Sequence, residues 1–394
     1  MIRKSLIMKI FGAFYMQRWN DRMRPMEFIE MDKQAHKMII AWFFGKFEET
    51  RANFDWVKLI EGAFFEFMQR SVITDIKPPV FYRIKSDPEK YRKLNEYVFR
   101  QLEPVITPLG EGFCGRFRDW FTRPDDSIER RVLGAAHLYS SRWEYDLIQR
   151  VNPDSYDREF IQNDFDTRIQ GYRSLEGMKQ LTDHLSYTKF INLCGQLRFQ
   201  SRWAQLHRIP RTSVLGHSLF VALLSWLFTY RIGGSPRRIY NNFFNGLFHD
   251  LPEVLTRDII TPVKRSIEGL SDLIKEYEKD QLEQVIFPLI PSSFHEEIGR
   301  FTENEFESTV VIGGIRTPAS SEEITKQYNE DRFEPRDGQI VKACDELSAF
   351  IEATVAIENG CKSEEFEKAR SAIRERYGRM TVAGIPLGEI YADL

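Results

Sequence analysis

The sequence predicts an all-α protein built as two helical domains in tandem. Three observations carry this. Apolar residues recur at helical spacing through most long segments, and strand-like alternation is scarce. The 394 residues are 42% hydrophobic and include 31 Phe, which supplies thick cores and argues against a disordered chain. Motifs of the first half also reappear, in the same order, in the second.

Taken in order, the periodicity predicts helices at 8–19, 34–48, 54–69 and 87–102. Pro78-Pro79 and Pro104 serve as breaks between them. Residues 127–151 and 174–185 complete the first set. The second half predicts helices at 190–206, 213–231, 236–249, 270–287, 338–358 and 364–377. Residues 301–336 read differently. They hold Gly313-Gly314, Pro318-Ala319-Ser320-Ser321 and the β-type run Ser308-Thr309-Val310-Val311-Ile312, and predict a loop or small hairpin inserted into the second domain.

The repeat sets Gln17-Arg18-Trp19 against Gln200-Ser201-Arg202-Trp203, and His36 against His217. It sets 62–66 against 246–250, 74–80 against 257–263, and 132–137 against 340–345. The predicted domains are therefore 1–185 and 186–394, a duplication of roughly 185 residues.

The net charge of −3 gives no whole-molecule attraction to nucleic acid or to an anionic membrane, so neither is expected as a partner. The N-terminus is basic and then apolar, like a signal peptide. Lys9 interrupts the apolar run and no small-residue cleavage site follows, so it reads as a helix. The longest apolar runs are too short to span a bilayer. Four widely spaced cysteines, with no CxxC pair, suit a reducing cytoplasm.

The chemistry gathers in the second half. His249-Asp250 closes the apolar run Phe243-Phe244-Asn245-Gly246-Leu247-Phe248, and two such polar groups at the edge of an aromatic helix need a partner. His217 and Asp345 lie on other predicted helices, and a bundle can bring such positions to one interior point. Imidazole plus carboxylate suits Mn, Fe, Co, Ni or Zn without choosing among them. An ion there would lower the pKa of bound water and polarise a phosphoryl group. Glu253 falls one helical turn after His249, in reach of the same site as a proton acceptor. Arg202 offers a planar fork for phosphate, and Trp203 beside it offers an apolar face. Read singly, each of these residues also has an ordinary structural role.

The ordered set His217, His249-Asp250 and Asp345 resembles the signature of the HD superfamily of metal-dependent phosphohydrolases. Three further stretches match in place: Arg202-Trp203, the string Phe248-His249-Asp250-Leu251-Pro252-Glu253-Val254-Leu255-Thr256-Arg257-Asp258, and Thr261-Pro262-Val263-Lys264. With Lys342-Ala343-Cys344-Asp345, these make residues 189–379 similar to bacterial 5′-deoxynucleotidases of the YfbR-like branch.

The resemblance implies an all-helical HD-domain bundle that hydrolyses deoxynucleoside 5′-monophosphates with a divalent ion (Mn, Co, Ni, Fe, Zn or Mg). It implies that His217, His249, Asp250 and Asp345 bind the metal and that Arg202 holds the phosphate. Trp203 would pack on the sugar, and Glu253 and Asp258 would serve catalysis or substrate orientation. Lys264, with Arg257 and Arg265, adds basic groups for phosphate. Such groups would also suit a nucleoside triphosphate or another phosphoester, and a nucleotide-sensing protein without catalysis is the reading from another class.

The first half reads as an eroded, non-catalytic copy. It keeps Arg18, Trp19, His36 and Asp75. Phe65 stands for His249, Glu66 for Asp250 and His137 for Asp345. The sharper alternative is a three-ligand site of His36, Glu66 and His137. Because such enzymes are commonly dimers, the first half is expected to act as a built-in partner, giving a monomer with an internal pseudo-dimer. A homodimer is the alternative.

Overall fold

Side-chain caps set where the site-bearing helices begin. Ser213 Oγ accepts from the Gly216 backbone N–H at 2.9 Å and starts the Val214–Arg231 helix. Ser235 caps the Pro236–Phe248 helix, whose first position is a proline. Asp337 caps the Gly338–Glu358 helix. Each cap satisfies a donor that the helix start leaves orphaned, and proline at that point has no N–H to lose.

The computed structural model describes residues 2–51, 53–74, 76–123, 125–257, 259 and 267–394. Among these the architecture is all-α. In the first half the longer helices are Glu30–Glu48, Trp56–Val72, Pro88–Ile106 and Ile128–Ile148. The only sheets among the described residues are two-stranded antiparallel ribbons: Gln17–Arg18 with Phe28–Ile29, Thr309–Ile312 with Ile315–Pro318, and Thr381–Val382 with Ile385–Pro386. The second of these is the hairpin expected within 301–336, turned through Gly313-Gly314, both at positive φ.

The Val214–Arg231 helix is apolar on every side, so it is a core helix packed all round. It lies against the Pro236–Phe248, Gly338–Glu358 and Glu30–Glu48 helices. By length and composition alone it would suffice to cross a membrane, but 89% of it is buried inside the protein. In the first half, Glu30–Glu48 holds the matching central place against Ile128–Ile148 and Trp56–Val72.

One hydrophobic core runs through both halves, and its contacts are reciprocal. Trp42 of the first central helix meets Phe248 of the second half with ring centroids at 4.9 Å. Trp226 of the second central helix meets Phe64 of the first half at 4.8 Å. The two phenylalanines each lie two residues past a glycine, Gly62 and Gly246. Contacts in which i meets j and j meets i are the mark of a two-fold-related interface.

Several sequence expectations are corrected. The predicted helix 8–19 ends early: the helix is Lys4–Phe11, followed by a 3-10 turn at Gly12–Phe14, and Gln17–Arg18 is strand. The predicted helix 190–206 stops at Gln196, with a 3-10 turn to Phe199, so Arg202 and Trp203 lie in a loop. Pro104 does not break its helix but sits in the last turn of Pro88–Ile106. Pro78 starts a helix, Pro78–Lys85, rather than merely ending one.

The pairing of His36 with His217 also shifts by one turn. Glu30 N–H donates to Met16 O at the start of the first central helix, and Val214 N–H donates to Gln200 O at the start of the second. The third residue beyond Glu30 is Lys33, and the third beyond Val214 is His217. The local register therefore sets Lys33, not His36, against His217.

Candidate metal centre

Three helices deliver the cluster. His217 sits in the first turn of Val214–Arg231, His249 caps the end of Pro236–Phe248, and Asp345 lies in the third turn of Gly338–Glu358. One ligand atom from each of these three lies within 4.8 Å of the others. Asp250 joins them: its Oδ2 is 3.7 Å from His217 Nε2 and 3.3 Å from His249 Nε2. His217 Nε2 is 3.1 Å from Asp345 Oδ1.

The rings are held from behind. His249 Nδ1 lies 2.9 Å from the Gly246 carbonyl, which can only accept, so Nδ1 carries the proton and Nε2 faces inward with a lone pair. His217 Nδ1 is 3.0 Å from Ser348 Oγ. Such partners fix ring orientation at metal sites. His249 Nε2 is buried and makes no hydrogen bond. That orphaned nitrogen, beside a second imidazole and two carboxylates, fits a divalent transition ion better than it fits a hydrogen-bonded core.

Lys342 Nζ takes the outer oxygen of Asp345, Oδ2, at 2.9 Å and leaves Oδ1 on the cluster side. Burial would push the Asp345 carboxyl up, but Lys342 and the two histidines hold it well below the usual carboxylate range. The wall beside His249 comes from the 301–336 segment. The Phe306 ring lies 6.1 Å from the His249 ring and 4.3 Å from Lys342 Nζ.

Gly246 decides how closely two of these helices approach. A Cβ there would meet backbone atoms of Ala222 at 2.9 and 3.0 Å, so the chain at this crossing admits no side chain. Gly246→Ala is expected to cost roughly 1–3 kcal/mol by overpacking and to weaken metal binding by moving His249 away from His217. Urea unfolding and metal titration check this, and wild-type values in both would contradict it.

Arg202 and Trp203 stand beside the cluster. Arg202 Nη1 is 3.9 Å from Asp250 Oδ2. Glu352, buried in the Gly338–Glu358 helix, anchors the pair. It accepts from Arg202 Nε at 3.2 Å, from Trp203 Nε1 at 2.9 Å and from Thr212 Oγ1 at 2.6 Å. Arg208 Nη2 approaches it at 3.6 Å. Trp203 has φ of +57°, which for a bulky residue costs of order 1–3 kcal/mol and persists only where surroundings impose it. Its ring packs on Phe366 at 5.2 Å.

Glu253 is buried in the single turn Glu253–Thr256, and its backbone N–H donates to Asp250 O at 3.1 Å. Gln200 Nε2 donates to Glu253 O at 2.8 Å and ties this turn to the Arg202 loop. Asp258 and Lys264 lie outside the described residues, as does Asp75 of the first half.

The sequence reading passed over Glu352 and Ser348 and gave Lys342 no role. Spacing held the signal. They lie seven after, three after and three before Asp345, all on its helical face.

The first half repeats this frame with different occupants. Trp19 has φ of +54°. Glu144, seven residues after His137 as Glu352 is after Asp345, accepts from Arg18 Nε at 2.8 Å and Trp19 Nε1 at 2.9 Å. His36, however, turns away, with Nε2 3.0 Å from Ile191 O and its ring edge-on to Trp143. Among the described residues, the cluster of metal-competent side chains is His217, His249 and Asp345 alone. The set His36, Glu66 and His137 does not converge.

A helical bundle whose central histidines and aspartates meet at one point is the architecture of an HD domain. Residues 194–374 match the family model described as HD domain, in keeping with the resemblance of the second half to that superfamily. The chain is 21% identical over 196 residues to a 5′-deoxynucleotidase of Pasteurella multocida, covering 48% of this chain and 84% of the relative. It is 26% identical over 192 residues to one of Vibrio parahaemolyticus (47% and 81%), and 26% identical over 204 residues to one of Shewanella oneidensis (50% and 83%).

Proposed function

We propose that the second half is a metal-dependent phosphohydrolase that releases phosphate from (deoxy)nucleoside 5′-monophosphates. The observation that carries this is the convergence of His217, His249, Asp250 and Asp345 beside an arginine fixed by a buried carboxylate. The relatives named 5′-deoxynucleotidase support the substrate class.

His217, His249, Asp250 and Asp345 would hold the ion, which supplies Lewis-acid polarisation of a phosphoryl oxygen and an activated water when bound. Arg202 binds the phosphate and stabilises charge developing on its oxygens. Glu352 keeps the guanidinium and the Trp203 indole in register, so that phosphate and sugar are placed together. Glu253 accepts or relays a proton near Asp250. The Phe306 ring borders the site on the His249 side.

We further read the chain as an internal duplication whose first half serves as a built-in partner. The reciprocal Trp42–Phe248 and Trp226–Phe64 contacts support this. A monomeric mass in solution is expected.

The test loads the full chain with Mn, Co, Ni, Fe, Zn or Mg in turn. It then measures phosphate and pyrophosphate released from nucleoside mono-, di- and triphosphates. Phosphate release from monophosphates with at least one metal is expected. No release with any metal overturns the enzyme, and pyrophosphate release from triphosphates overturns the substrate class.

A further inference from the structure

The first half holds a cation-rich side-chain cluster that the chemistry above does not use. Lys33 stands in the register of His217, Phe65 of His249, Glu66 of Asp250, and His137 of Asp345. Lys33 Nζ lies 2.6 Å from His137 Nδ1. A tethered amine thus occupies the place where the second half gathers metal donors. Lys37 Nζ lies 2.5 Å from Glu66 Oε2.

The lysines are the buried members of this cluster, and the groups around them are more exposed. Lys33 and Lys37 are 0% and 1% exposed. Around them the side chains of Arg18, Arg70 and Glu66 are 12%, 29% and 33% exposed. Glu30 pairs with Arg18 at 2.8 Å and with Arg70 at 3.5 Å, while Glu144 is shared between Arg18 and Arg198. Among the described residues, Lys33 makes no ion pair with a carboxylate, and burial holds its ammonium well below the usual lysine range. A buried amine without a carboxylate partner is costly, and an apolar residue of that volume would be the cheaper filler.

What the first half has lost is the set of metal donors. What it has kept is the arginine and left-handed tryptophan on a buried glutamate. We infer that this cluster is a non-hydrolytic binding site for a nucleoside phosphate monoester, in which Arg18 and Lys33 take the phosphate and Trp19 the sugar. The ligand class rests on the reading of Arg202 and Trp203 given above. With a phosphate anion bound beside it, the Lys33 amine takes up a proton and supplies the positive charge that an ion supplies in the second half, but it activates no water, so the ligand is held intact.

The experiment titrates metal-stripped full-length protein with deoxyadenosine 5′-monophosphate by calorimetry. Wild type is expected to bind at two sites, Arg202→Ala at the first-half site alone, Lys33→Met at the second-half site alone, and the double variant at neither. Lys33→Met fills the same volume without the charge, so it should fold; its thermal midpoint is read alongside. Lys37→Gln, which keeps Lys33, should weaken the first-half site measured in the Arg202→Ala background. If Arg202→Ala abolishes all binding, or the double variant keeps the Arg202→Ala isotherm, the inference is overturned. If inorganic phosphate binds Arg202→Ala as tightly as the nucleotide does, the nucleoside part is overturned. If metal-loaded wild type hydrolyses nothing while Lys33→Met still removes a site from Arg202→Ala, the first-half site stands and the phosphohydrolase reading falls.

Discussion

Asp250→Ala should abolish phosphate release and lower the metal content of the purified protein, with the fold retained. Asp250 brings a carboxylate to both inward-facing Nε2 atoms and stands 3.9 Å from Arg202, so its removal strips a donor from the cluster and an anchor from the phosphate side. Even the outer partners of metal ligands cost 10–100-fold when removed, so a loss beyond roughly 100-fold is expected for a group inside the cluster. Elemental analysis, phosphate release and a far-ultraviolet circular dichroism spectrum on one preparation separate the cases. A variant whose metal content falls while its turnover matches wild type would end the metal-enzyme reading. Asp250 is partly exposed at the rim of the core, so the thermal midpoint should change little.

Glu352→Ala should be the most destabilising single change near the site. Glu352 is 1% exposed and receives Arg202, Trp203 and Thr212, with Arg208 close by. Its removal leaves the buried Arg208 guanidinium without its carboxylate, and breaking one side of such a pair costs about 3–5 kcal/mol. The left-handed Trp203 loses its tether at the same time. Denaturant midpoints measure the first effect, and a raised KM in Glu352→Gln, which keeps the shape and one acceptor oxygen, measures the second. An unchanged midpoint in Glu352→Ala would show that the carboxylate does not hold the frame.

The same group sets an acid limit. Burial alone would raise the Glu352 carboxyl, but Arg202 and Arg208 outweigh it and bring it down to about 2 from the ordinary 4.5. A depressed carboxyl stabilises the fold above the ordinary value, and that contribution fades as pH falls toward the folded value. Stability should therefore decline between about pH 5 and pH 2, and less steeply in Glu352→Gln. Glu30, brought down to about 2 against burial by Arg18, adds a parallel contribution from the first half.

The helical class and most helices of this protein are legible in its sequence. The residues 338–358 and 364–377 show their spacing and caps plainly, and the observed helices coincide with them. His217, His249, Asp250 and Asp345 are legible too, because a histidine and aspartate set in a fixed order is a chemical pattern rather than a packing one. The Arg202 loop was not. Its segment keeps helical periodicity, but Trp203 at positive φ is imposed by the Glu352 hydrogen bond from a residue far along the chain. The swap of His36 for Lys33 escaped for a related reason. Sequence alignment favours like letters, whereas the ribbon that pairs Met16 with Glu30 and Gln200 with Val214 fixes the register.

By itself, then, the sequence determined that the chain is helical and that its second half carries the ordered histidines and aspartates His217, His249, Asp250 and Asp345. Only the tertiary structure decided which first-half side chains stand together. A lysine and a histidine lie far apart in the chain and carry no joint signature, so their 2.6 Å contact exists only once the Glu30–Glu48 and Ile128–Ile148 helices are packed together. Burial then turns that lysine from a solvated charge into an enclosed amine held well below the usual lysine range, and this property belongs to the packed fold rather than to any stretch of residues.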